Sequence, residues 1–393
     1  MLRMIRFELK KIYSNSVVIG SLAVLLLICF LILQAYCFNN LATSTITPDG
    51  TKLSGREAIT FNQSIANKYV GDFTDDTIAR MVVDFSIDYP EEYGEMAENG
   101  AVNALIPSSY LYLSMFIPPA DYDEVAEDAI AHGISIPDLT EYGLVSIQDY
   151  GTAYVDKPLQ YGYNDSWAYF FSGFCGSTIA IAFPALIVIV IAISTIFSNE
   201  YSTKMAALIL TTRYGRNRLI IAKLLAGMIF TTMIIIGLFV LFSIAFGTQY
   251  GLAGWDADIQ ANLQLSFIAL NIPLNNLQLI FLGMIIVWIA GISTAAVTAL
   301  ISTIMKSPFS ALILAFALYM APWIIRQILA KDGLYNILLI CPVNAINVHE
   351  LLLQSNTYQH PWFLLVTVIF LSGIVTFLTS AITYKWFGNS EKI

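Results

Sequence analysis

Charged residues are scarce in this sequence. Of its 393 residues, 12% are charged and 57% are hydrophobic, and the mean hydropathy is +0.69. A soluble domain usually carries about 25% charged residues, so the composition indicates that lipid surrounds much of the chain. Cysteine is scarce too: the four cysteines are scattered, without the spacing of a disulfide framework or a zinc site. A bridge between Cys37 and Cys341 outside the cell stays open as an alternative.

The groups that nucleotide binding and ion coupling require are also missing. There is no G-x-x-x-x-G-K-[ST] sequence, so the chain lacks a P-loop for ATP. The stretch HELLL has Leu353 where a zinc peptidase has its second histidine. The long apolar stretches contain no Asp or Glu at depth, which argues against a proton- or sodium-coupled carrier. We therefore expect no catalytic residue, no metal site and no cofactor in this chain, and an energy source elsewhere.

The sequence does contain six apolar stretches long enough to cross a bilayer. About 20 helical residues cross a hydrocarbon core of about 30 Å. The basic N-terminus before the first stretch would also fit a signal peptide, but that apolar run is too long and lacks a cleavage pattern. In the second stretch, Pro184 predicts a kink. The predicted spans are 16–38, 167–197, 224–246, 277–305, 308–329 and 361–384.

The distribution of Lys and Arg predicts the orientation of these spans. With the N-terminus inside, the cytoplasmic segments hold twelve basic residues and the short outer loops hold two, Arg326 and Lys331. We therefore expect a multi-pass protein of the plasma membrane with both termini in the cytoplasm. Arg326 fits either an anchor at the membrane interface or a cation that faces the substrate. The apolar segment 334–353, broken by Pro342, fits either a re-entrant outer segment or a seventh span.

Residues 39–166 have the opposite character. They include 21 acidic and 5 basic residues, a net charge of −16. The segment is long enough for a small domain, and its helical spacing with acidic first turns, near 75–89 and 121–133, predicts an α-rich extracellular domain. Its many tyrosines fit a small core better than a peptide-binding surface. One acidic cluster fits a solvated face better than a calcium loop, whose central glycine and final glutamate are missing. That cluster is Asp121, Asp123, Glu124, Glu127 and Asp128.

The loop 199–223 concentrates basic charge after the second span. It holds five of the nineteen basic residues: Lys204, Arg213, Arg216, Arg218 and Lys223. From Glu200 onwards the spacing predicts an amphipathic helix that lies along the membrane or in the groove of a partner. Its apolar stripe carries Tyr201, Met205, Leu208 and Thr212. We expect a positive φ at Gly215 to end this helix. Positive-inside anchoring alone would explain the charges but not the stripe.

The N-terminus has a similar pattern. An apolar stripe lies beside a basic one over residues 1–15, which predicts an interfacial amphipathic helix before the first span. The apolar stripe is Leu2, Ile5, Leu9 and Ile12, and the basic one is Arg3, Arg6 and Lys10.

This order of features resembles the membrane subunits of type-2 ABC exporters. The resemblance lies in the interfacial helix IRFELKKIYSNS, the first span, and the sequence FSNEYSTKMAALILTTRYGRNRLIIAKLLAG after the second. The family typically has a Glu after the second span, a short apolar helix, a Thr-rich turn, and Arg and Lys before the third span. The matching residues are Glu200, Leu208, Leu210, Thr211, Thr212, Arg216 and Lys223. Many members have a short first outer loop, and the insertion 39–166 is similar to that of a subset of bacterial permeases.

The resemblance implies an all-α polytopic membrane protein of six transmembrane helices, with spans two to six in residues 167–393. It implies one half of a dimeric export pathway, completed by an identical or sister permease chain and two ATP-binding cassette subunits that hold ATP and Mg. The loop 200–218 would be the helix that couples to those subunits. Its coupling residues would be Glu200, Tyr201, Lys204, Met205, Leu208, Thr211, Thr212, Arg213, Arg216 and Arg218. In this family, short re-entrant helices lie outside between spans five and six, where 334–353 falls.

The substrate class is open at this stage, and peptide, antibiotic and lipid all fit an uncharged pathway beneath an acidic domain. Nothing in the sequence predicts nucleic-acid binding. The alternative from another class is a non-transporting membrane sensor or assembly factor, in which the acidic outer domain binds a cationic peptide.

Overall fold

A computed structural model of the chain describes residues 1–92, 95, 103–116, 145–151, 157–212, 215, 217–329, 333–358 and 360–388. It is predominantly helical with almost no sheet, which confirms the predicted all-α class. The helices of the first half are α1 Leu2–Tyr13, α2 Ser16–Leu33, α3 Arg56–Ala66, α4 Asp75–Asp88, α5 Ser108–Leu111, α6 Asp165–Phe174, α7 Ala182–Ser194, α8 Ser198–Ser202 and α9 Met205–Thr211. Those that follow are α10 Arg218–Tyr250, α11 Asn276–Ile304, α12 Pro308–Ile328, α13 Gly333–Leu338, α14 Pro342–Ala345, α15 Val348–Ser355 and α16 Phe363–Gly388. The described strands have three residues each: β1 Ser44–Ile46, β2 Lys52–Ser54, β3 Gly71–Phe73 and β4 Leu159–Tyr161.

Within the described residues, six helical segments are long and apolar enough to cross a membrane, which is the number predicted. They are Ser16–Phe38, Ala182–Ser202, Arg218–Tyr250, Asn276–Ile304, Pro308–Ile328 and Phe363–Gly388. Large apolar side chains on these segments are exposed, as at Phe309 and Phe377, each 72% accessible. Apolar surface of this extent on helices of this length is suited to lipid rather than water.

The second span differs from its prediction. Instead of one helix over 167–197, α6 ends at Phe174 and α7 begins at Ala182. The backbone N–H of Ile181 donates to the Gly173 carbonyl at 2.9 Å across this break. Pro184 causes no kink, because it lies in the first turn of α7, where a missing N–H costs no helical hydrogen bond. The break depends on the small residues after α6 and on tertiary hydrogen bonds, which hydropathy does not detect.

The chain divides into two compact units. The first, here called the helical unit, contains Met1–Ile32, Ser172–Phe242 and Leu282–Ile393. Within it α7 packs against α12, and the Phe183 ring lies 6.4 Å from Tyr319 and 5.9 Å from Trp323, centroid to centroid.

The segment 334–353 also belongs to the helical unit. It forms α13, most of α15 and the short α14 between them, and none of these three helices is long enough to cross a membrane. The Val348 N–H donates at 2.8 Å to the carbonyl of Cys175, which the break after α6 leaves free. Whether the segment enters the membrane stays a prediction.

The second unit, here called the insertion unit, contains Leu33–Phe171 together with Ser243–Phe281. The unit therefore includes more than the predicted segment 39–166. Its strands form two antiparallel pairs, β1 with β2 and β3 with β4, the second joining Gly71 to Tyr161 and Phe73 to Leu159.

Aromatic side chains form the core of the insertion unit. The rings of Phe85 and Tyr110 stack at 5.3 Å, and the Tyr69 and Tyr110 hydroxyls are 3.1 Å apart. Five tyrosines of the insertion are buried, as the core interpretation predicts: Tyr69, Tyr89, Tyr110, Tyr161 and Tyr163. The predicted helix near 121–133 and the whole acidic cluster of 121–128 lie outside the described residues.

Candidate coupling site

The sequence that follows α7 forms two short helices rather than the single helix predicted from Glu200. Helix α8 ends at Ser202 and α9 begins at Met205, with Lys204 between them at φ 57° and ψ 17°. A residue in this left-handed conformation ends an α-helix because it turns the chain out of the helical path. The sequence contains no glycine at this point, so the break could not be predicted from residue types.

A serine of α11 fixes the start of α8. The Ser302 hydroxyl accepts hydrogen bonds from the N–H groups of Phe197 and Ser198, both at 3.0 Å, and donates to the Ser194 carbonyl at 2.7 Å. Ser302 is fully buried. It satisfies backbone groups where α7 ends and α8 starts, which a buried helix end requires.

Lys223 forms the centre of a buried cluster of charges. Its ammonium donates to Glu200 Oε1 at 2.8 Å, to Glu8 Oε2 at 2.9 Å and to the Ile196 carbonyl at 2.9 Å. These three bonds use all three of its donors. The side chain of Lys223 is 1% exposed and that of Glu8 is 2% exposed. The cluster therefore joins α1, α8 and α10 through one ammonium group.

Lys11 completes the cluster at its accessible edge. Its ammonium lies 3.1 Å from Glu200 Oε1 and 3.4 Å from Glu8 Oε1, and 45% of its side chain is exposed. Partial burial lowers the pKa of Lys11, but the two carboxylates outweigh it, so the pKa is raised above its usual value of 10.5. Two lysines and two glutamates make the cluster electrically neutral.

The cluster lies in the wall of a cavity of about 1040 Å³. One face of α1, residues 195–209 and the start of α10 line this cavity. Polar side chains such as Asn15 and Asn199 and apolar ones such as Phe7 and Ile209 alternate along its lining. The ion pairs thus connect α1 to the loop beside an open space rather than within a closely packed core.

Comparison with known proteins gives one match. The family described as ABC-2 family transporter protein matches residues 4–378. The chain belongs to this family. No curated protein and no solved structure matches it.

Membership in this family indicates the general role of the protein. An ABC-2 family protein is a multi-pass membrane permease subunit of an ABC transporter, and the family implies assembly with ATP-binding subunits. The match confirms the family that the sequence resembles. It also agrees with the lack of a P-loop, since a transport subunit of this kind is generally non-catalytic.

The predicted coupling residues of this ABC-2 protein occupy two different environments. Leu208 is 61% exposed and Met205 is 46% exposed. Glu200 is buried, and Tyr201 is half-buried with its ring 5.7 Å from Phe387. The exposed polar members are Lys204, Thr211, Thr212 and Arg218. Arg213 and Arg216 lie outside the described residues.

Glu200 therefore has partners that the sequence did not identify. The opposite charges expected on an ATPase are supplied by Lys11 and Lys223 of the same chain. Contact of any of the other predicted residues with an ATP-binding subunit stays a prediction.

Gly215 has a different role from the one predicted. Its φ is not positive. A Cβ at this position would lie 1.7 Å from the Ile209 carbonyl oxygen and 2.7 Å from the Thr212 hydroxyl. Glycine is needed here because the chain passes directly against the end of α9, so a side chain has no room.

Sequence reasoning missed Glu8 and Lys11. A usable signal existed: Glu8, Glu200 and Glu391 are the acids of the predicted cytoplasmic segments, which are otherwise basic. An isolated acid in a basic, amphipathic helix often has a specific cationic partner, but the sequence does not say which of the many lysines and arginines it is.

Arg326 has a partner within this ABC-2 protein. Its guanidinium lies 3.1 Å from Glu350 Oε1 of α15 and 3.9 Å from the centre of the Tyr335 ring. The side chain is 7% exposed. A paired and stacked guanidinium is a structural link between α12 and the segment after it. A position at the membrane interface and contact with the substrate both stay predictions for Arg326.

Proposed function

We propose that this chain is one half of a dimeric exporter in the plasma membrane, with both termini in the cytoplasm. Two ATP-binding cassette subunits would bind ATP and Mg, and a second permease chain, identical or sister, would complete the pathway. Helices α8 and α9 would transmit the movement of those subunits to the spans. The exported substrate would be a peptide, an antibiotic or a lipid.

The observation that carries this proposal is the set of three hydrogen bonds that the Lys223 ammonium donates to Glu8, Glu200 and the Ile196 carbonyl. A loop can transmit its movement to a span only through contacts that tie the two together. Glu200 fixes α8 to α10 and, through Lys11 and Glu8, to α1. A displacement of the loop would therefore move α10 and α1 with it, because separating these buried charges costs several kcal/mol.

The exposed side of α9 is the surface offered to the partner. Leu208 and Met205 extend from it, while Ala206 and Leu210 are buried beneath. Glu200 is then a positioning residue, which holds the helices, and the basic residues of 204–218 meet acidic groups of the ATPase. Glu200 is assigned to positioning because it already pairs with Lys11 and Lys223 of its own chain.

The test compares Leu208→Asp with Leu208→Met and with Asn217→Asp, a matched control. Asn217→Asp adds the same charge to the same loop and keeps the oxygen that accepts the Tyr384 hydroxyl at 2.9 Å. We expect Leu208→Asp alone to abolish co-purification of a P-loop ATPase from native membranes and ATP-driven export, without changing the amount of inserted protein. Equal retention of the ATPase by all three variants would contradict the assignment.

Orientation has its own test. A cysteine replacing Thr212 in a cysteine-free chain should react with a membrane-impermeant maleimide only after the cells are opened. Reaction in intact cells would place the loop outside and overturn the proposal. A kinase, rather than a P-loop ATPase, cross-linked to a photoreactive residue at position 208 would favour the sensor alternative.

A further inference from the structure

A small cavity in the insertion unit brings together three separated parts of the sequence. Its volume is about 20 Å³, room for one water-sized occupant. Ser108 comes from α5, Asp165 starts α6, and Asn262 and Gln264 belong to the loop that precedes α11. All of these residues are in the same unit.

Asp165 is buried here without a cation. It is 4% exposed, and the Ser108 hydroxyl donates to its Oδ2 at 2.7 Å. No ion pair forms at Asp165 among the residues that the structure describes, and residues 251–275 contain no Lys, Arg or His. Burial raises the pKa of this carboxyl to about 6, and the hydrogen bond from Ser108 opposes that rise. A buried, charged carboxylate with only neutral neighbours is costly unless another charge compensates it.

The amide of Asn262 presents its oxygen without a partner. Its Nδ2 donates to the Asn164 carbonyl at 3.4 Å and to Asn276 Oδ1 at 3.3 Å. Asn276 is fixed in turn, because its own Nδ2 donates to Asn164 Oδ1 at 2.8 Å and to the Gly254 carbonyl at 3.0 Å. Turning the Asn262 amide over would place its oxygen against two acceptors, so the network determines its orientation.

Two amide oxygens at this cavity lack hydrogen-bond partners among the described residues, and so does the buried Tyr163 hydroxyl. Asn262 is fully buried, and its Oδ1 has no hydrogen-bond partner in the described part of the chain; the same is true of Gln264 Oε1. The Ser108 hydroxyl donates its hydrogen bond to Asp165, and the Tyr161 hydroxyl donates to Ser109 at 3.1 Å. A water molecule could donate to both amide oxygens, but it would leave the charge of the buried carboxylate uncompensated, whereas a cation binds the oxygens and compensates that charge.

We propose that this cavity binds one small, hard cation through oxygen ligands from Asp165, Asn262 and Gln264. Carboxylate and amide oxygens are ligands that Ca²⁺ accepts at about 2.3–2.6 Å, and Na⁺ has a similar radius and the same preference for oxygen. Mg²⁺ fits poorly, because it keeps several waters that a cavity of this size has no room for. The bound cation joins α5, the start of α6 and the loop before α11.

The probe is Tb³⁺, which replaces Ca²⁺ and becomes luminescent when nearby tyrosines are excited; Tyr161 and Tyr163 line this cavity. The full-length protein is purified in detergent, treated with chelator and titrated in a choline buffer. We expect Asp165→Asn to weaken Tb³⁺ binding about tenfold or more. Asp76→Asn is the matched control, since it removes the same charge from an exposed site of the same unit, and it should bind like wild type.

A second variant keeps the proposal testable if Asp165→Asn fails to fold. Asn262→Asp adds a carboxylate to the cavity and should tighten binding about tenfold, because affinity rises with ligand charge. Displacement of Tb³⁺ by Ca²⁺ or by Na⁺ identifies the natural occupant. Equal Tb³⁺ binding by wild type, Asp165→Asn and Asn262→Asp, or displacement by neither cation, would show that the cavity holds an ordered water only and overturn the proposal.

Discussion

In the helical unit, Glu8 and Glu200 are buried beside two lysines, whereas in the insertion unit Asp165 is buried among neutral oxygens. The first arrangement is complete within the chain: Lys223 uses all three of its donors, and the charges sum to zero. The second leaves a carboxylate without a countercharge and two amide oxygens without hydrogen-bond partners among the described residues. Burial of a charge needs compensation in both places. The chain itself supplies it between α1, α8 and α10, and we propose that a solute supplies it in the insertion unit.

The largest effect is expected at the centre of the complete cluster. Lys223→Met keeps the length of the side chain but leaves two buried carboxylates without their main partner, so we expect a loss of about 3–5 kcal/mol in the free energy of unfolding. The measurement is denaturant or thermal unfolding of the purified protein in detergent. Lys204→Met, an exposed lysine of the same loop, should change stability by less than about 0.5 kcal/mol. Similar losses for the two variants would show that the cluster does not bind its helices together.

Asp165 should give the next largest effect, and its direction depends on pH. The usual carboxyl pKa of 3.8 is raised to about 6 in the folded protein. The folded state then holds this proton more tightly, so the contribution of Asp165 to the stability of the cation-free protein is highest below about pH 4 and falls as the pH rises towards 6. The loss is roughly 3 kcal/mol at most. Tyr161 and Tyr163, which line the same cavity, stay neutral over this range because burial raises the pKa of each.

Hydrogen–deuterium exchange of peptides covering 159–171, corrected for the intrinsic rate, measures this pH dependence locally. Asp165→Asn should abolish the decrease between pH 4 and pH 6, and Asp76→Asn should retain it. A decrease of the same size in both variants would assign the pH dependence to other carboxyls of the insertion unit.

The smallest effect is expected at the accessible edge of the cluster. Lys11→Met removes an ammonium whose side chain is 45% exposed, so water screens its interaction with Glu8 and Glu200. We expect a loss of about 1 kcal/mol or less, which high salt reduces further. Unfolding of Lys11→Met and Lys223→Met at low and high salt provides the comparison. A loss for Lys11→Met as large as that for Lys223→Met would mean that the whole cluster is sealed from water.

Much of the fold could be predicted because hydropathy is a local property. The first span was predicted at 16–38 and is Ser16–Phe38 in the structure, and the fifth begins at Pro308 as predicted. The predicted helix near 75–89 is α4, Asp75–Asp88. In each case the hydropathy and the spacing of apolar residues over a short stretch of sequence specify a helix in an apolar or half-buried setting.

Predictions were wrong where a distant atom decides the backbone conformation. The second span breaks after Phe174 because the Cys175 carbonyl and the Ile181 N–H find partners outside a regular helix. The coupling loop divides at Lys204, a residue type with no preference for a left-handed conformation. Gly215 is required by the position of α9, not by its own φ.

The sequence by itself determined the six membrane-crossing segments, the contrast between a basic loop and an acidic insertion, and the resemblance to a transporter family. These follow from the hydropathy, charge and order of neighbouring residues, which do not depend on how the chain packs. Only the tertiary structure decided that Lys223 meets Glu8, 215 positions away, and that Asp165 meets no basic side chain in the described part of the chain. Electrostatic pairing depends on distances of a few ångströms and on exclusion of water, and packing alone sets both.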